Sequence, residues 1–406
     1  MPPSSTEKQR VFDRIRVVDV DTHISEPEDL WTSRVASKWG DLIPHVVKAP
    51  GGNTDFWAIG DSLVVPTGMA AMAEFDGTYP DFPETLAQAI PASHDAQARL
   101  DYMDREGIYA SVLYPNVAGF GSGRFLQIGE PALMLECVQA YNDFLVEWVS
   151  AAPDRLVPVM ATPFWDVEAS VAEIERCAAQ GHKGILFGSQ PQSFGEPHLA
   201  DPHWDPIWAA AQAAQLPISF HIGSGQIESS DAPGTLGPAF TGGYPGWGLE
   251  IGLVKTSVLL FMDNIQSIAD VIFGGVCQRY PRLAFVSVES GAGWIPFALE
   301  AFDWQWRNNG AQRAHPEFDL LPSEYFARQI YGCFWFEEAA AAGAIERYPE
   351  NFLYETDFPH PTSMSPGPQS AAEHPRDYVE RAWSELEEKT LQAVFHDNAA
   401  RLYGLE

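Results

Sequence analysis

Short apolar runs alternate with amphipathic helical patterns along most of the chain. Apolar residues spaced three and four apart predict helices at 166–179, 205–214 and 264–280. Buried strands are predicted at 17–21, 111–114, 157–161, 184–187, 217–221, 284–289, 330–334 and 352–356. This alternation is typical of parallel strands joined by crossover helices. Eight such strands within 406 residues predict a single α/β domain, a TIM-type (β/α)8 barrel spanning residues 1–406.

Residues 45–95 depart from the alternation. The segment 56–65 alternates apolar and polar residues around Gly60-Asp61, which predicts a β-hairpin. A stretch rich in Met, Phe, Tyr and Pro follows at 69–82. A connection this long within a barrel is more often functional than passive. We therefore expect the insertion 45–95 to be a lid or an oligomer contact.

The chain is strongly acidic, with a net charge of −31 from 24 basic and 55 acidic residues. Such a charge repels phosphate backbones and anionic lipids, so we expect neither nucleic-acid nor membrane partners. No uninterrupted apolar stretch reaches the ~18 residues of a membrane span, and no apolar secretory signal opens the chain. These features predict a cytoplasmic protein with a small-molecule substrate. An acidic substrate would need positive charge from a metal ion or from a few arginines.

The four cysteines are far apart and form no CxxC pair, which argues against a structural zinc site. In a reducing compartment they stay unpaired. We expect buried packing roles for Cys137, Cys177, Cys277 and Cys333.

Four polar residues lie where predicted strands end. Asp21 and His23 end the first strand, and residues two apart point to the same face of a strand. His221 ends the fifth strand, and Asp357 follows the last. Each one alone has a structural alternative, as a capping aspartate or a hydrogen-bonded core histidine. Because the strand C-termini of a barrel share one mouth, together they predict a site for one divalent ion. Imidazole and carboxylate donors suit zinc, manganese or iron.

The sixth predicted strand ends in Glu289, ahead of a Gly-rich turn. A carboxylate at this height can be a general base, a further metal ligand or, with a raised pKa, a proton donor. A salt bridge to an arginine is the structural alternative. Glu337 and Glu338 are weaker candidates at the rim of the same mouth. Asp19 lies one layer deeper on the first strand, where we expect a structural role.

Most other histidines are predicted to have no catalytic role. His182 precedes a strand and therefore belongs to the opposite end of the barrel. Surface or packing roles in loops or helices are expected for His45, His94, His198, His203, His315, His374 and His396.

Seven short motifs, taken in order, carry a family resemblance. They lie at 19–27, 99–107, 201–208, 221–223, 288–293, 356–360 and 398–404. In this combination the chain resembles the amidohydrolase superfamily, in the amidohydrolase 2 group of aminocarboxymuconate-semialdehyde decarboxylase and γ-resorcylate decarboxylase. The resemblance implies a distorted (β/α)8 barrel, one divalent ion (zinc first, manganese second) and a homodimer.

The resemblance also implies roles for particular residues. Asp21 and His23 take the places of the first-strand ligand pair, and His221 takes that of the fifth-strand ligand. Asp357 takes the place of the last-strand ligand that is often also the proton shuttle. Two positions depart from the family pattern: Asp21 replaces a histidine or glutamate, and Glu289 replaces the histidine of the well-known decarboxylases.

Three functions follow as hypotheses. The first is a metal-dependent, non-oxidative decarboxylase (carboxy-lyase) of an aromatic or unsaturated acid, with Asp357 or Glu289 as proton donor. The alternative is a metal-dependent hydrolase of an ester, lactone, amide or activated C–C bond, with a metal-bound water as nucleophile. The third is a metal-free binding protein that retains the barrel. Metal content separates the third from the others, and CO2 release separates the first two.

Overall fold

The structure is a computed structural model that describes residues 9–77, 81–225, 248–361, 363–365, 367 and 372–405. Its strands are β1 (Val17–His23), β2 (His45–Lys48), β3 (Asp55–Ile59), β4 (Ser62–Pro66), β5 (Ile108–Tyr114), β6 (Leu156–Ala161), β7 (Gly184–Leu186), β8 (Ile218–His221), β9 (Phe285–Val288), β10 (Ile330–Phe334) and β11 (Phe352–Tyr354). Eight of them form one parallel sheet in the order β1-β5-β6-β7-β8-β9-β10-β11.

The sheet curves into a nearly closed barrel, in which the first strand, β1, meets the segment that follows the last strand, β11. Thr22 of β1 pairs in parallel with Phe358, four residues beyond the end of β11. The His23 N–H donates to the Phe358 carbonyl at 2.6 Å, and the Asp357 N–H donates to the Asp21 carbonyl at 2.9 Å. The predicted (β/α)8 barrel is confirmed, and the eight predicted strands coincide with the observed ones to within a few residues.

Helices connect the strands. They are α1 (Val11–Arg14), α2 (Leu30–Arg34), α3 (Ala96–Glu106), α4 (Pro131–Val149), α5 (Val167–Gln180), α6 (Asp205–Ala214), α7 (Gly248–Leu260), α8 (Asn264–Phe273), α9 (Val276–Arg279), α10 (Ile295–Asn308), α11 (Ala311–Ala314), α12 (Pro322–Gln329), α13 (Ala339–Arg347), α14 (Pro375–Trp383), α15 (Glu388–Gln392) and α16 (Asn398–Tyr403). Short 3-10 turns lie at Ser37–Leu42, Leu86–Gln88, Pro91–Ser93, Gly123–Ile128, Pro191–Phe194 and Pro202–Trp204, and a π turn lies at Ala393–Asp397.

Two predicted helices are confirmed and one is wrong. The helix predicted at 166–179 begins after Asp166, whose carboxylate accepts the Ala169 N–H at 3.0 Å. The helix predicted at 264–280 is two helices, α8 and α9, separated by Gly274 and Gly275. Gly275 has a φ of +72°, and a Cβ at Gly274 would collide with Ala200. The chain therefore turns where its pattern alone suggested one continuous helix.

Apolar side chains fill most of the barrel interior below the mouth. Val18, Val112, Val159 and Val288 are among the fully buried side chains that fill it. Tyr403 of α16 packs into the same cluster and closes the barrel away from the mouth. Polar side chains at the strand C-termini are thus left to line a single opening.

The insertion forms a small antiparallel sheet. The predicted hairpin is confirmed as β3 and β4, joined at Gly60, which has a φ of +57°. A third strand, β2, pairs with β3, so the prediction that His45 lies in a loop or helix was wrong. The N–H groups of Met72 and Ala73 donate to the Pro359 carbonyl at 2.7 and 3.1 Å. The insertion therefore reaches the segment that follows Asp357.

The predicted role of the cysteines is also borne out in the structure. All four are free and buried. Burial raises the pKa of the Cys137 thiol and of the other three above the ordinary value, so they remain protonated packing groups.

One segment meets the length and composition of a membrane span. It is Val254–Phe273, with a mean hydropathy of 1.2 and 33% of its window buried. Turn residues 261–263 divide it between α7 and α8. In its middle, Asp263 accepts a hydrogen bond from Gln190 at 2.8 Å, and Asn264 donates to the Phe220 carbonyl at 2.8 Å. Bonds of this kind to the barrel are typical of a helix pair that packs on its own domain, so the span is weak evidence for a membrane.

His182 provides a test of the packing at the closed end. It is buried just before β7, and burial lowers the pKa of its imidazole to about 4. Between pH 4 and pH 6.5 the unfolded chain binds the proton more readily, so stability decreases as the pH falls, by about 3 kcal/mol over this range. We expect the Tm of His182→Gln to decrease less than the Tm of the wild type when the pH is lowered from 7 to 4.5. The exposed His315 is the matched control, and an equal effect of His315→Gln would contradict this assignment.

Candidate metal centre

Three ligand-type side chains converge at the ends of β1 and β8. The Nε2 atoms of His23 and His221 lie 3.1 Å apart. The Asp21 Oδ1 atom lies 3.3 Å from His23 Nε2 and 3.6 Å from His221 Nε2. All three side chains are fully buried. These three predicted ligands therefore lie close enough together to hold one ion, and the fourth, Asp357, lies beside them.

Hydrogen bonds fix the orientation of both imidazoles. His23 Nδ1 lies 3.1 Å from the Pro115 carbonyl, and His221 Nδ1 lies 2.9 Å from the Ile222 carbonyl. Carbonyl oxygens only accept, so each Nδ1 donates and each neutral ring presents a lone pair at Nε2. Two lone pairs 3.1 Å apart beside a carboxylate repel one another unless a cation or a proton lies between them. The donor set thus fits a divalent metal ion, whose ligands are neutral imidazole and carboxylate.

The pKa values reflect the same crowding. Burial and the nearby His360 lower the pKa of His23 to about 3. Burial also disfavours charge on His221, but Asp21 and Glu289 outweigh it and raise the pKa of His221 to about 9. Burial alone would raise the pKa of Asp21, yet His221 and His23 hold it well below its ordinary value. Without an ion, the cluster is therefore balanced by a proton on His221.

Asp357 and Glu289 complete the cluster from the far side. Asp357 Oδ1 lies 3.6 Å from His23 Nε2, and Glu289 Oε2 lies 3.6 Å from His221 Nε2. Both residues have left-handed backbone conformations, with φ of +59° and +54°. That conformation costs roughly 1–3 kcal/mol per residue outside glycine and is concentrated at functional sites. Here it accompanies two carboxylates that are directed at the histidine pair.

Among the described residues, no arginine forms the salt bridge that was the structural alternative for Glu289. Within the described ranges its ion-pair partner is His221. Its N–H donates to Glu355 Oε2 at 3.1 Å. Burial, followed by the charge of Asp357, raises the pKa of Glu289 well above its ordinary value. Both causes favour the neutral form of the Glu289 carboxyl group.

Two further residues of the cluster were not among the predicted ones. His360 Nδ1 lies 2.7 Å from Asp357 Oδ1, and its ring stacks on His23 at 3.8 Å. Glu355 is fully buried behind Glu289, and burial raises its pKa well above the ordinary value. Both had signals in the sequence: a histidine three residues after a strand-end aspartate, and a glutamate inside an apolar strand.

The remaining candidates lie outside the cluster. Asp19 accepts the Thr356 N–H at 2.9 Å and its hydroxyl at 2.5 Å, which ties β1 to the last strand as a structural residue would. Glu337 accepts the Ala292 N–H at 2.6 Å and so fixes the turn after Glu289. Glu338 forms an ion pair with Arg381 at 2.9 Å on the surface.

The family model for amidohydrolases matches residues 18–405, nearly the whole chain. The chain belongs to the amidohydrolase family. Among curated proteins, this amidohydrolase is 23% identical over 325 residues to 2-amino-3-carboxymuconate-6-semialdehyde decarboxylase of Dictyostelium discoideum, with 77% of each chain covered.

Solved structures share the fold of this amidohydrolase. An amidohydrolase of Mycobacterium avium subsp. paratuberculosis has a TM-score of 0.72 at 22% identity, covering 96% of this chain and 100% of the other. A dihydroxybenzoic acid decarboxylase from Polaromonas, with bound manganese and 2-nitroresorcinol, has a TM-score of 0.59 at 18% identity, covering 96% and 97%. At these identities the likeness concerns the fold.

Metal analysis tests the cluster. We expect gently purified and dialysed wild type to hold about one zinc or manganese ion per chain. Elemental mass spectrometry measures this metal content. His221→Ala removes a donor and Asp21→Asn removes the negative charge of another, so both should lose most of the metal. His182→Gln replaces a buried histidine outside the cluster and should keep it. Full metal content in His221→Ala would show that the ion lies elsewhere.

Proposed function

We propose that this amidohydrolase is a metal-dependent, non-oxidative decarboxylase of an aromatic or unsaturated carboxylic acid. The observation that carries the proposal is the convergence of His23, His221 and Asp21 with two further carboxylates, Asp357 and Glu289, at one mouth. The relatives whose names state an activity support it, since both the Dictyostelium and the Polaromonas proteins are decarboxylases.

The proposed cofactor is one divalent ion held by Asp21, His23, His221 and Asp357. Mixed nitrogen and oxygen donors suit zinc or manganese, and we favour zinc. When bound, the ion would supply the positive charge that attracts the substrate carboxylate and a neighbouring oxygen. This also explains how a chain with a net charge of −31 can admit an acid.

The chain itself would supply the proton. In a decarboxylation of this class, a proton adds to the carbon that bears the carboxylate. The C–C bond then breaks, its electron pair restores the unsaturated system, and CO2 leaves. Glu289 and Asp357 are the proposed donors, and water returns the proton to them. The raised pKa of Glu289, caused by burial and by Asp357, supports a proton stored at this position.

The same feature weighs against the hydrolase. A hydrolytic base must be ionised before it can take a proton from water. Burial and the Asp357 charge both favour the neutral form of Glu289. Ester, lactone, amide or C–C hydrolysis is therefore the second candidate.

An aromatic side chain, Phe120, lies beside the proposed metal site. The Phe120 ring stacks on His221 at 4.3 Å and lies 5.3 Å from His23. It lies 5.9 Å from His360. A planar substrate held at the ion would meet this ring, and offset stacking between aromatic rings is favourable. The position of Phe120 thus supports an aromatic acid as substrate.

We also propose a cytoplasmic homodimer with residues 45–95 as its lid. Apart from Leu42, the exposed large hydrophobic residues of the described chain lie between 251 and 336. Phe297, Trp304 and Phe336 are 74%, 65% and 48% exposed. At roughly 150–250 Å² per aromatic side chain they expose about 400 Å², half of the ~800 Å² that one partner contributes to a stable interface.

The proposal that residues 45–95 form a lid rests on a contact with the site. The N–H groups of Met72 and Ala73 donate to the carbonyl of Pro359, two residues after Asp357.

Gas release tests the reaction. We expect the metal-loaded wild type to release one CO2 per molecule of a hydroxylated benzoic acid consumed, without an oxidant. Glu289→Gln should lose about 10²–10⁴-fold in rate and keep its metal, because the amide cannot donate the same proton. Glu338→Gln, at the exposed rim, should keep both. Ester or C–C hydrolysis without CO2 would favour the alternative, and an unchanged rate in Glu289→Gln would remove that residue from the mechanism.

Light scattering tests the dimer. Trp304→Glu adds a charge to the exposed apolar face of α10 and should convert the dimer into a monomer without loss of secondary structure. Leu42→Glu, on an exposed residue far from that face in sequence, is the control and should remain dimeric. A wild type that is monomeric at micromolar concentration would contradict the proposed interface.

A further inference from the structure

Arg99 occupies an unusual position in this chain. It belongs to the motif at 99–107, to which neither the barrel nor the proposed chemistry assigns a role. Its side chain is 1% exposed, and among the residues that the structure describes it is the only buried arginine or lysine. Buried cations are rare, and most of them are paired with a carboxylate.

The guanidinium of Arg99 binds neutral oxygens. Nε donates to the Ala92 carbonyl at 2.6 Å, and Nη1 donates to the Thr22 hydroxyl at 3.2 Å. Nη2 donates to the His23 carbonyl at 2.5 Å. Two of the three acceptors therefore belong to the end of β1, in or next to the residues that carry the proposed ligands.

The same group also lies over an aromatic ring at the other end of the barrel sheet. The guanidinium lies 4.5 Å from the centre of the Phe358 ring. Phe358 directly follows Asp357, and its carbonyl accepts the His23 N–H. Arg99 thus contacts both sides of the junction at which β1 meets the segment after β11.

This junction sets the distance between the proposed ligands. Asp21 and His23 come from one side of it, and Asp357 comes from the other. No covalent link shorter than the whole barrel joins the two sides, so their spacing depends on the bonds across the junction. A lysine cannot reproduce these contacts, because it lacks the planar fork that donates in several fixed directions and stacks on a ring.

We propose that Arg99 is the positioning residue of the metal centre, which holds the end of β1 against Phe358 so that Asp21, His23 and Asp357 keep one coordination geometry. The inference rests on the metal centre proposed above and extends it, because Arg99 bonds to the main chain of His23 and to Thr22 rather than to a ligand atom. The role depends on the hydrogen bonds of the fork and on the contact with the Phe358 ring, which a charge alone would not supply.

Arg155 provides a matched control. It also donates to two strand carbonyls, of Tyr109 at 2.7 Å and Ile108 at 3.1 Å. These carbonyls lie at the start of β5, the end of the barrel opposite the mouth. Replacing either arginine by lysine removes a fork that supports a strand end. Only Arg99 supports the end that carries ligands.

The experiment uses the full chain loaded with Co²⁺, as wild type, Arg99→Lys, Arg99→Met and Arg155→Lys. The visible absorption spectrum reports coordination geometry, competition with a chelator gives the Kd, and thermal unfolding gives the Tm. We expect Arg99→Lys to weaken Co²⁺ binding roughly 10–100-fold, as outer-shell changes do, and to alter the spectrum. Arg99→Met should do at least as much. Arg155→Lys should lower the Tm while leaving the spectrum and the Kd unchanged.

Two results would overturn the inference while leaving the metal centre intact. One is a wild-type spectrum and Kd in Arg99→Lys, and the other is an equal change in Arg155→Lys. If Arg99→Met does not fold, Arg99→Lys alone decides between these outcomes. A wild type that takes up no Co²⁺ is a separate result, which overturns the metal centre itself and this inference with it.

Discussion

The junction between the first and last strands is the interaction on which the rest of this barrel depends. Two main-chain hydrogen bonds cross it, from Asp357 to Asp21 and from His23 to Phe358. They close the sheet and, in the same step, bring a carboxylate from one chain end to a carboxylate and an imidazole from the other. Closure of the barrel therefore also assembles the site. A barrel that closed in a different register would lose its ligand geometry together with its closure.

The electrostatics of the mouth follow from that closure. Asp21, Glu289, Glu355 and Asp357 are packed around His23 and His221, and all are buried. Like charges this close cannot all remain ionised in a dry site, so protons or a cation must balance them. The left-handed conformations of Glu289 and Asp357 add backbone strain to the electrostatic cost. Such costs are retained at sites where binding repays them, which agrees with a resident ion.

Much of the fold and part of the site were predictable from the sequence. Parallel strands that are buried on both faces are continuous apolar runs, and these runs located all eight strands. Strand ends in a barrel converge, so Asp21, His23, His221 and Asp357 were found as a group. His360 was missed because it approaches Asp357 only through the turn that a left-handed aspartate begins. Glu355 was missed because its partner, the N–H of Glu289, comes from another strand end 66 residues away in sequence. The break in 264–280 lies at Gly274 and Gly275, where Gly275 takes a left-handed φ of +72° that the spacing of apolar residues does not reveal.

The last helix, α16, affects how small molecules can enter and leave the barrel. Tyr403 and Ala399 fill the end of the barrel away from the mouth, where they pack against the valines of its interior. Among the described residues, this packing occupies the barrel axis at the end opposite the mouth. In the decarboxylation proposed above, the substrate, the CO2 and the larger co-product would all pass through the mouth. The order of their departure would then depend on the segments around this opening, where Met72 and Ala73 of the insertion bond to Pro359.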